Sequence, residues 1–271
     1  MEFNKNILKE YLVEAPIPLA LERTWECEIY KTLEFPRPIL DVGCGDGIYT
    51  KILFAEKIDV GIDPLEYELE YARKLDVYEK LTLAWGNEMP FENETFKTVF
   101  SNSVLEHIPD IEPVLNEIHR VLKSDGNLYV TIPTNLFDTY SVIYRTLQFF
   151  GLNGLKESYR KFFNKFWKHH HYYTRKDWIT LFQKCGFEMV TVQEYGTKQQ
   201  CTFNDFIVPF TIPNYVVKKL FNRFFLSKTI RRIYVPVLAG LIKHKVKIHP
   251  GLTTGGLIFF SFKKNNGSIE K

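Results

Sequence analysis

The chain has 271 residues, 45% of them apolar, with 35 Lys and Arg against 32 Asp and Glu, an ordinary globular balance with room for one α/β domain and additions. Cys27, Cys44, Cys185 and Cys201 show no C-x-x-C spacing, which excludes a zinc-finger or disulfide framework. The longest stretch free of Asp, Glu, Lys and Arg, Ile248–Phe262, falls short of the ~20 apolar residues of a spanning helix.

The opening MEFNKNILKEYLVE is acidic and amphipathic rather than signal-like, so a reducing cytoplasm is the expected setting. Residues 1–36 read as two helices separated around Pro16 and Pro18. In the second, Leu21, Trp25, Ile29 and Leu33 recur near helical spacing and are expected to pack beside a sheet. The alternative is that Arg23 and Trp25 help to close the ligand pocket over the glycine loop that follows. Next comes ILDVGCGDG, Ile39–Gly47. Its apolar start reads as a buried strand, and Gly43, Gly45 and Gly47 as a sharp turn into a helix at Tyr49–Lys57. Glycine lets a ligand lie on the backbone and tolerates positive φ; a glycine loop feeding a helix holds nucleotide-like ligands above a parallel sheet. A second strand, Asp59–Ile62, ends on Asp63, whose carboxylate suits the two hydroxyls of a ribose. The pattern here is D-x-G-x-G-x-G, not G-x-G-x-x-G. Its leading acid, Asp41, suits a ligand bearing an ammonium or sulfonium and would repel pyrophosphate.

At these residues the chain resembles the class I S-adenosylmethionine-dependent methyltransferases, of the small-molecule and ubiquinone-biosynthesis type. Further stretches carry the likeness in the family's order. Trp85–Phe91, WGNEMPF, resembles the loop after the third strand, with Asn87 where Asp is usual. Val99–Asp110, VFSNSVLEHIPD, resembles the fourth strand and its turn, and Val121–Pro133 the L-K-P-G-G region with Ser124–Asp125 in place of Pro-Gly. The likeness covers residues 10–196. Strands are expected at Thr82–Ala84, Thr98–Ser101 and Asn127–Ile132, and helices at Tyr67–Leu75 and Ile111–Leu122. This alternation predicts a doubly wound, mostly parallel sheet, binding its ligand at the strand carboxyl ends. The resemblance implies S-adenosylmethionine as cofactor, held by Asp41, Gly43, Cys44, Gly45, Asp63, Pro64, Asn87, Glu88, Ser101 and Asn102.

Beyond Pro133 the segment Leu136–His171 is aromatic and basic and ends in HHHYYTRKDW. A helix at Lys176–Cys185 and a strand at Phe187–Tyr195 follow, and Gly255–Lys263 reads as a last strand. The resemblance implies seven strands, the seventh antiparallel, so that the connections 136–171 and 197–254 emerge on the cofactor edge. They are expected to pack together as an aromatic-basic helical lid. The chain thus divides into helices 1–36, core 37–135, insertion 136–171, core 172–196, a basic apolar insertion 197–254, and a last strand with tail 255–271.

Methyl transfer mainly needs two reactants positioned and water excluded. His107, in LEHIPD, is the candidate base, with ordering of the loop as the competing role; Glu106 is a weaker candidate. His169, His171 and Tyr172 are expected to face the acceptor, since relatives often carry H-x-H before this helix; simple packing is the alternative. Consecutive histidines project differently and no nearby Cys or Asp pair completes a site, so no metal is expected. From Thr197 onward there are 13 Lys and Arg against 2 acids. Lys218–Lys219, Arg223, Lys228 and Arg231–Arg232 interleave there with apolar residues. This suits an anionic membrane face or a lipid-linked or other small-molecule acceptor. A solvated basic face is the plain alternative, and no RNA-binding module supports nucleic acid. The expected protein is a methyltransferase at or near the inner face of a membrane. The alternative is a non-catalytic binding or scaffold protein on the same fold.

Overall fold

The computed structural model describes residues 1–221 and 223–265. Helices α1 (Ile7–Glu14) and α2 (Ile17–Tyr30) precede β1 (Ile39–Val42), α3 (Ile48–Leu53), β2 (Ile58–Asp63), α4 (Glu66–Leu75), β3 (Tyr78–Leu83), β4 (Phe96–Asn102), α5 (Glu112–Val121) and β5 (Leu122–Pro133). Then come α6 (Val142–Phe149), α7 (Asn153–Phe166), α8 (Arg175–Lys184), β6 (Phe187–Tyr195), α9 (Lys198–Phe221), α10 (Lys228–Ile242) and β7 (Leu257–Lys264). The seven strands form one sheet in the order β3-β2-β1-β4-β5-β7-β6. β1 to β5 pair in parallel, and β7 runs antiparallel to both β5 and β6. This is the expected doubly wound sheet, and the order reverses beside β1, where a ligand crevice opens.

Two apolar layers hold the sheet. Leu40, Val99, Leu128 and Phe260 pack under α5 and α8 through Leu115, Ile118, Trp178 and Phe182. On the other face Ile39, Phe100, Tyr129 and Phe259 meet α1 and α2 through Tyr11, Trp25 and Tyr30. The core strands read as near-continuous apolar runs because both faces are covered.

Three details differ from expectation. α3 stops at Leu53, not Lys57, because Phe54 turns extended (φ −98°, ψ 143°) and forms an antiparallel bridge with Phe3. β3 begins at Tyr78, four residues early; it is an edge strand, and the solvent-facing Glu79 and Lys80 disguise it. β5 begins at Leu122 rather than Asn127, through a bulge: Phe96 pairs with Leu122 and Thr98 with Asn127, so residues 123–126 are extruded.

The two insertions meet each other. The Val142 N–H donates to Asp205 Oδ2 (2.8 Å), and Thr202 Oγ1 donates to the Tyr140 carbonyl (2.8 Å). The rings of Trp167 and Tyr215 lie 6.4 Å apart, edge to face. Lys218 on α9 reaches Asp46 of the glycine loop at 3.2 Å, so this lid is clasped to the loop itself. α10 returns to α1: the buried Arg231 guanidinium donates to the carbonyls of Leu12 and Ala15. Arg231 is therefore a structural cation, unlike its exposed neighbour Arg232. The part of the expected tail from residue 266 lies outside the described residues.

Candidate active site

A cavity of about 730 Å³ lies over the carboxyl ends of β1 and β2, lined by Gly43, Asp63, Pro64, Trp85, Asn87 and His107 among others. Its floor is the glycine turn. Gly43, Gly45 and Gly47 all have positive φ (78°, 52° and 75°), and the N–H groups of Gly43 and Cys44 both donate to the Ile62 carbonyl at 2.9 Å. This ties the loop to β2. Asp63 completes the tie: Oδ2 accepts the Gly45 N–H (3.0 Å) and Oδ1 the Leu65 N–H (2.9 Å). Burial raises its carboxyl above the ordinary range, opposed by those two bonds. The carboxylate thus orders both turns, and each oxygen keeps a further lone pair for a ligand in the cavity. Ile62, Pro64, Leu65 and Ala84 supply flat apolar walls. An acidic residue at the strand tip, a bare backbone floor and apolar walls fit a cationic, nucleoside-bearing ligand such as S-adenosylmethionine.

A second chamber, about 150 Å³, lies under the lid. Phe163, Trp167, Val208 and Tyr215 from the insertions form its apolar side, and α2 contributes Glu22 and Arg23. Arg23 forks onto the fully buried Glu26 with two bonds of 2.8 Å. Glu26 also accepts from Asn102 Nδ2 and Ser103 Oγ, each at 2.8 Å. Glu106 and His169 also face this chamber, and His107 borders both cavities. The His107 Nδ1–H donates to the Lys168 carbonyl (3.1 Å), which leaves the Nε2 lone pair available. Burial lowers the basicity of His107, and brings His169 down to about 4 with help from neighbouring His107. Burial lifts the Glu106 carboxyl to about 8, so it is largely protonated at neutral pH.

Of the expected cofactor residues, Gly43, Asp63, Pro64 and Asn87 line the first cavity, and Gly45 acts through its backbone bond to Asp63. The others do not reach it. Alternation along β1 sends Asp41 to the opposite face from Val42, where its Oδ2 accepts from Thr50 Oγ1 (2.8 Å) and Tyr78 Oη (2.7 Å). Asp41 therefore orders the loop from beneath. Cys44 is buried against β2 and Tyr78, and Glu88 is turned out to solvent. Ser101 Oγ donates to the Val42 carbonyl, and Asn102 is consumed by Glu26 and Thr131. Among the expected acceptor residues, only His169 faces the second chamber. His171 is buried between Tyr173 Oη (2.9 Å) and the Ile108 carbonyl (2.8 Å), and Tyr172 lies outside, with the Arg160 guanidinium 5.4 Å from its ring. Arg23 lines the second chamber and not the cavity over the glycine turn, so it does not close the pocket expected of it. Trp25 instead packs in the core, donating to the Lys245 carbonyl. Glu22, Asn204 and Tyr215 carry no local motif, because the lid brings them together from distant parts of the sequence, and Glu26 is joined by the sheet to partners far along the chain.

Residues 40–130 match the family model described as a methyltransferase domain. The chain is similar to the sterol 24-C-methyltransferase of Debaryomyces hansenii, 31% identical over 45% of this chain and 36% of that protein. It thus spans about a third of the length of the curated relatives it matches first. It is also similar to the demethylmenaquinone methyltransferase of Lysinibacillus sphaericus, 30% identical over 58% of this chain and 72% of that one. The crystal structure of a SAM-dependent methyltransferase from Thermotoga maritima, possibly a histamine N-methyltransferase, superposes with a TM-score of 0.57 at 17% identity, covering 92% of each chain; this shows the fold. With the glycine turn, the strand-tip acid and a relative matched over most of its length, the chain belongs to the S-adenosylmethionine-dependent methyltransferases.

Proposed function

We propose that this protein transfers a methyl group from S-adenosylmethionine to a lipophilic or lipid- or glycan-linked acceptor held beneath the α6–α7–α9–α10 lid, at an anionic membrane surface. The observation that carries the reading is the meeting of two chambers at His107, one over the glycine turn and one under the lid. Asp63 and the backbone of Gly43 would hold the nucleoside and amino-acid parts, with Pro64, Trp85 and Asn87 beside the base. When bound, the cofactor supplies an electrophilic methyl on a sulfonium. The chain's own residues position the acceptor, exclude water and take its proton. His107 Nε2, free at the junction, is the proton acceptor, and the apolar wall of Phe163, Trp167, Val208 and Tyr215 removes solvent. Sterol and menaquinone names among the relatives and this aromatic wall both support a lipophilic acceptor.

The membrane reading rests on surface chemistry. Among the described residues, 19 of the 26 exposed large apolar side chains lie in residues 136–171 and 197–254. Lys219, Arg223, Lys228 and Arg232 are exposed among them. Among the described residues no helix is long and apolar enough to cross a membrane, and such a surface suits lying on one.

The deciding experiment incubates the protein with labelled S-adenosylmethionine and a lipid extract and measures S-adenosylhomocysteine. Formation that depends on the extract and falls at least tenfold in His107→Ala supports the reading. Tight cofactor binding with no turnover on any acceptor favours a non-catalytic binding protein on the same fold.

A further inference from the structure

We infer a binding site for a borderline divalent transition cation, of the zinc type, formed by Glu106, His107 and His169 where the two chambers meet. One ligand atom from each of the three lies within 4.8 Å of the others. Two histidines and one carboxylate, facing a cavity that leaves positions open, make the donor set of catalytic rather than purely structural metal centres.

The arrangement behind these ligands matters as much as their proximity. Metal-bound histidines ordinarily donate their second ring N–H to a carbonyl or carboxylate, which fixes the tautomer and the ring. Both imidazoles have that partner here. The Nδ1 of His107 faces the Lys168 carbonyl at 3.1 Å, and the Nδ1 of His169 faces Asn164 Oδ1 at 3.3 Å. Asn164 cannot flip freely, since its Nδ2 donates to Asp138 Oδ2 (2.6 Å) and to the Arg160 carbonyl (3.1 Å). Each ring therefore keeps Nε2 as an unshared lone pair.

Glu106 supplies the independent observation. The residue is only 2% exposed, it borders the acceptor chamber, and its Oε2 has no hydrogen-bond partner among the described residues. An unpaired buried carboxyl oxygen is costly, and a cation satisfies it directly. The nearest ring nitrogen, His107 Nε2, stands 3.8 Å from Glu106 Oε1. Ligand atoms around a metal with bonds of about 2.0–2.1 Å lie roughly 3–3.5 Å apart, so side-chain adjustments of up to roughly 1.5–2 Å close the site. The expectation of no metal rested on the His169–His170–His171 run taken alone. The fold uses one of those three and draws the other ligands from the LEHIPD turn.

This inference goes beyond methyl transfer and does not require it. A cation on His107 Nε2 takes the lone pair that would otherwise accept a proton, so in the metal-bound state an acceptor hydroxyl is acidified by coordination instead.

Zinc titration of the full chain against a chromophoric chelator tests the site directly. The expected result is one equivalent bound, weakened at least a hundredfold by His169→Ala and at least tenfold by the isosteric Glu106→Gln. His170→Ala, an exposed neighbour in the same run, should change binding by less than twofold. Cobalt(II) should give a d–d band that His169→Ala abolishes. The inference is overturned if His170→Ala weakens zinc as much as His169→Ala, if Glu106→Gln binds like the parent, or if zinc does not bind. S-adenosylmethionine calorimetry on the same variants reports folding and leaves the methyltransferase reading to stand or fall separately.

Discussion

Asp63 and Asp41 begin as two acids at the tips of adjacent strands, and their surroundings give them opposite tasks. Asp63 lines the cofactor cavity while anchoring the N–H groups of Gly45 and Leu65. Charge-assisted bonds contribute ~1.5–3 kcal/mol each, so Asp63→Ala should weaken S-adenosylmethionine at least tenfold by calorimetry; unchanged affinity would leave Asp63 a turn-former only. Asp41 is buried without a cationic partner, and desolvation lifts its carboxyl to about 7 despite bonds from Tyr78 and Thr50. The unfolded chain releases that proton near pH 4, so between about pH 4 and 7 the native state holds a proton that the unfolded state has lost. Stability conferred by this site therefore falls as pH rises through that window, by at most roughly 1.4 kcal/mol per pH unit. Asp41→Asn keeps an acceptor for both hydroxyls and removes the titration. Urea unfolding of the ligand-free protein at pH 5, 6 and 8 should show the variant gaining on its parent as pH rises; a constant difference would contradict this account.

At the scale of elements, the glycine turn and the turn after the fourth strand are interlocked. A Cβ on Gly43 would stand 2.5 Å from Val104 Cγ1, on a backbone with φ +78°. Gly43→Ala should therefore cost both a clash and left-handed strain, the latter about 1–3 kcal/mol. Val104→Ala in the same chain should recover the steric part of the lost melting temperature and leave the strain. No recovery would mean that the turn yields elsewhere. The turn was legible in the sequence because ILDVGCGDG must bend within a few residues, and the apolar runs of β1, β4 and β5 exposed the parallel core. Asp41 orders the glycine loop, but no local pattern shows that its partners lie on the far face of β1, with a tyrosine 37 residues away. His171 follows the packing alternative: it braces the 105–108 turn through the Ile108 carbonyl, where the H-x-H resemblance implies an acceptor contact. Glu26 gave no local signal: its partners Asn102, Ser103 and Tyr195 lie 76 to 169 residues along the chain. A hub of that kind becomes visible only when the sheet has assembled around it.

For the whole molecule, charge and apolar exposure are segregated together. The 13 basic residues from Thr197 onward share that part of the sequence with only 2 acids; Asp205 is turned inward to the Val142 N–H. Lys218 and Lys228 pair with Asp46 and Glu14 of the core, whereas Lys219, Arg223 and Arg232 are exposed along α9, α10 and the turn between them. Phe149, Phe210 and Ile233 are 84%, 72% and 76% exposed, a state with no stabilising role in an isolated domain. Of the helices that bear them, α9 also walls the chamber under the lid, through Asn204, Val208 and Tyr215. Each basic residue near an anionic bilayer contributes ~1 kcal/mol and each inserted aromatic or aliphatic side chain adds buried area. The protein should therefore sediment with vesicles containing anionic lipid, more weakly with neutral ones, and be only partly released by salt, since the apolar share is unscreened. Ile233→Glu and Phe210→Glu, at side chains that support little of the folded core, should each lower vesicle binding at least tenfold while leaving the melting temperature within about a degree. Loss of binding through salt alone, with both substitutions silent, would mean that the surface is a solvated basic face and that the acceptor reaches the lid from solution.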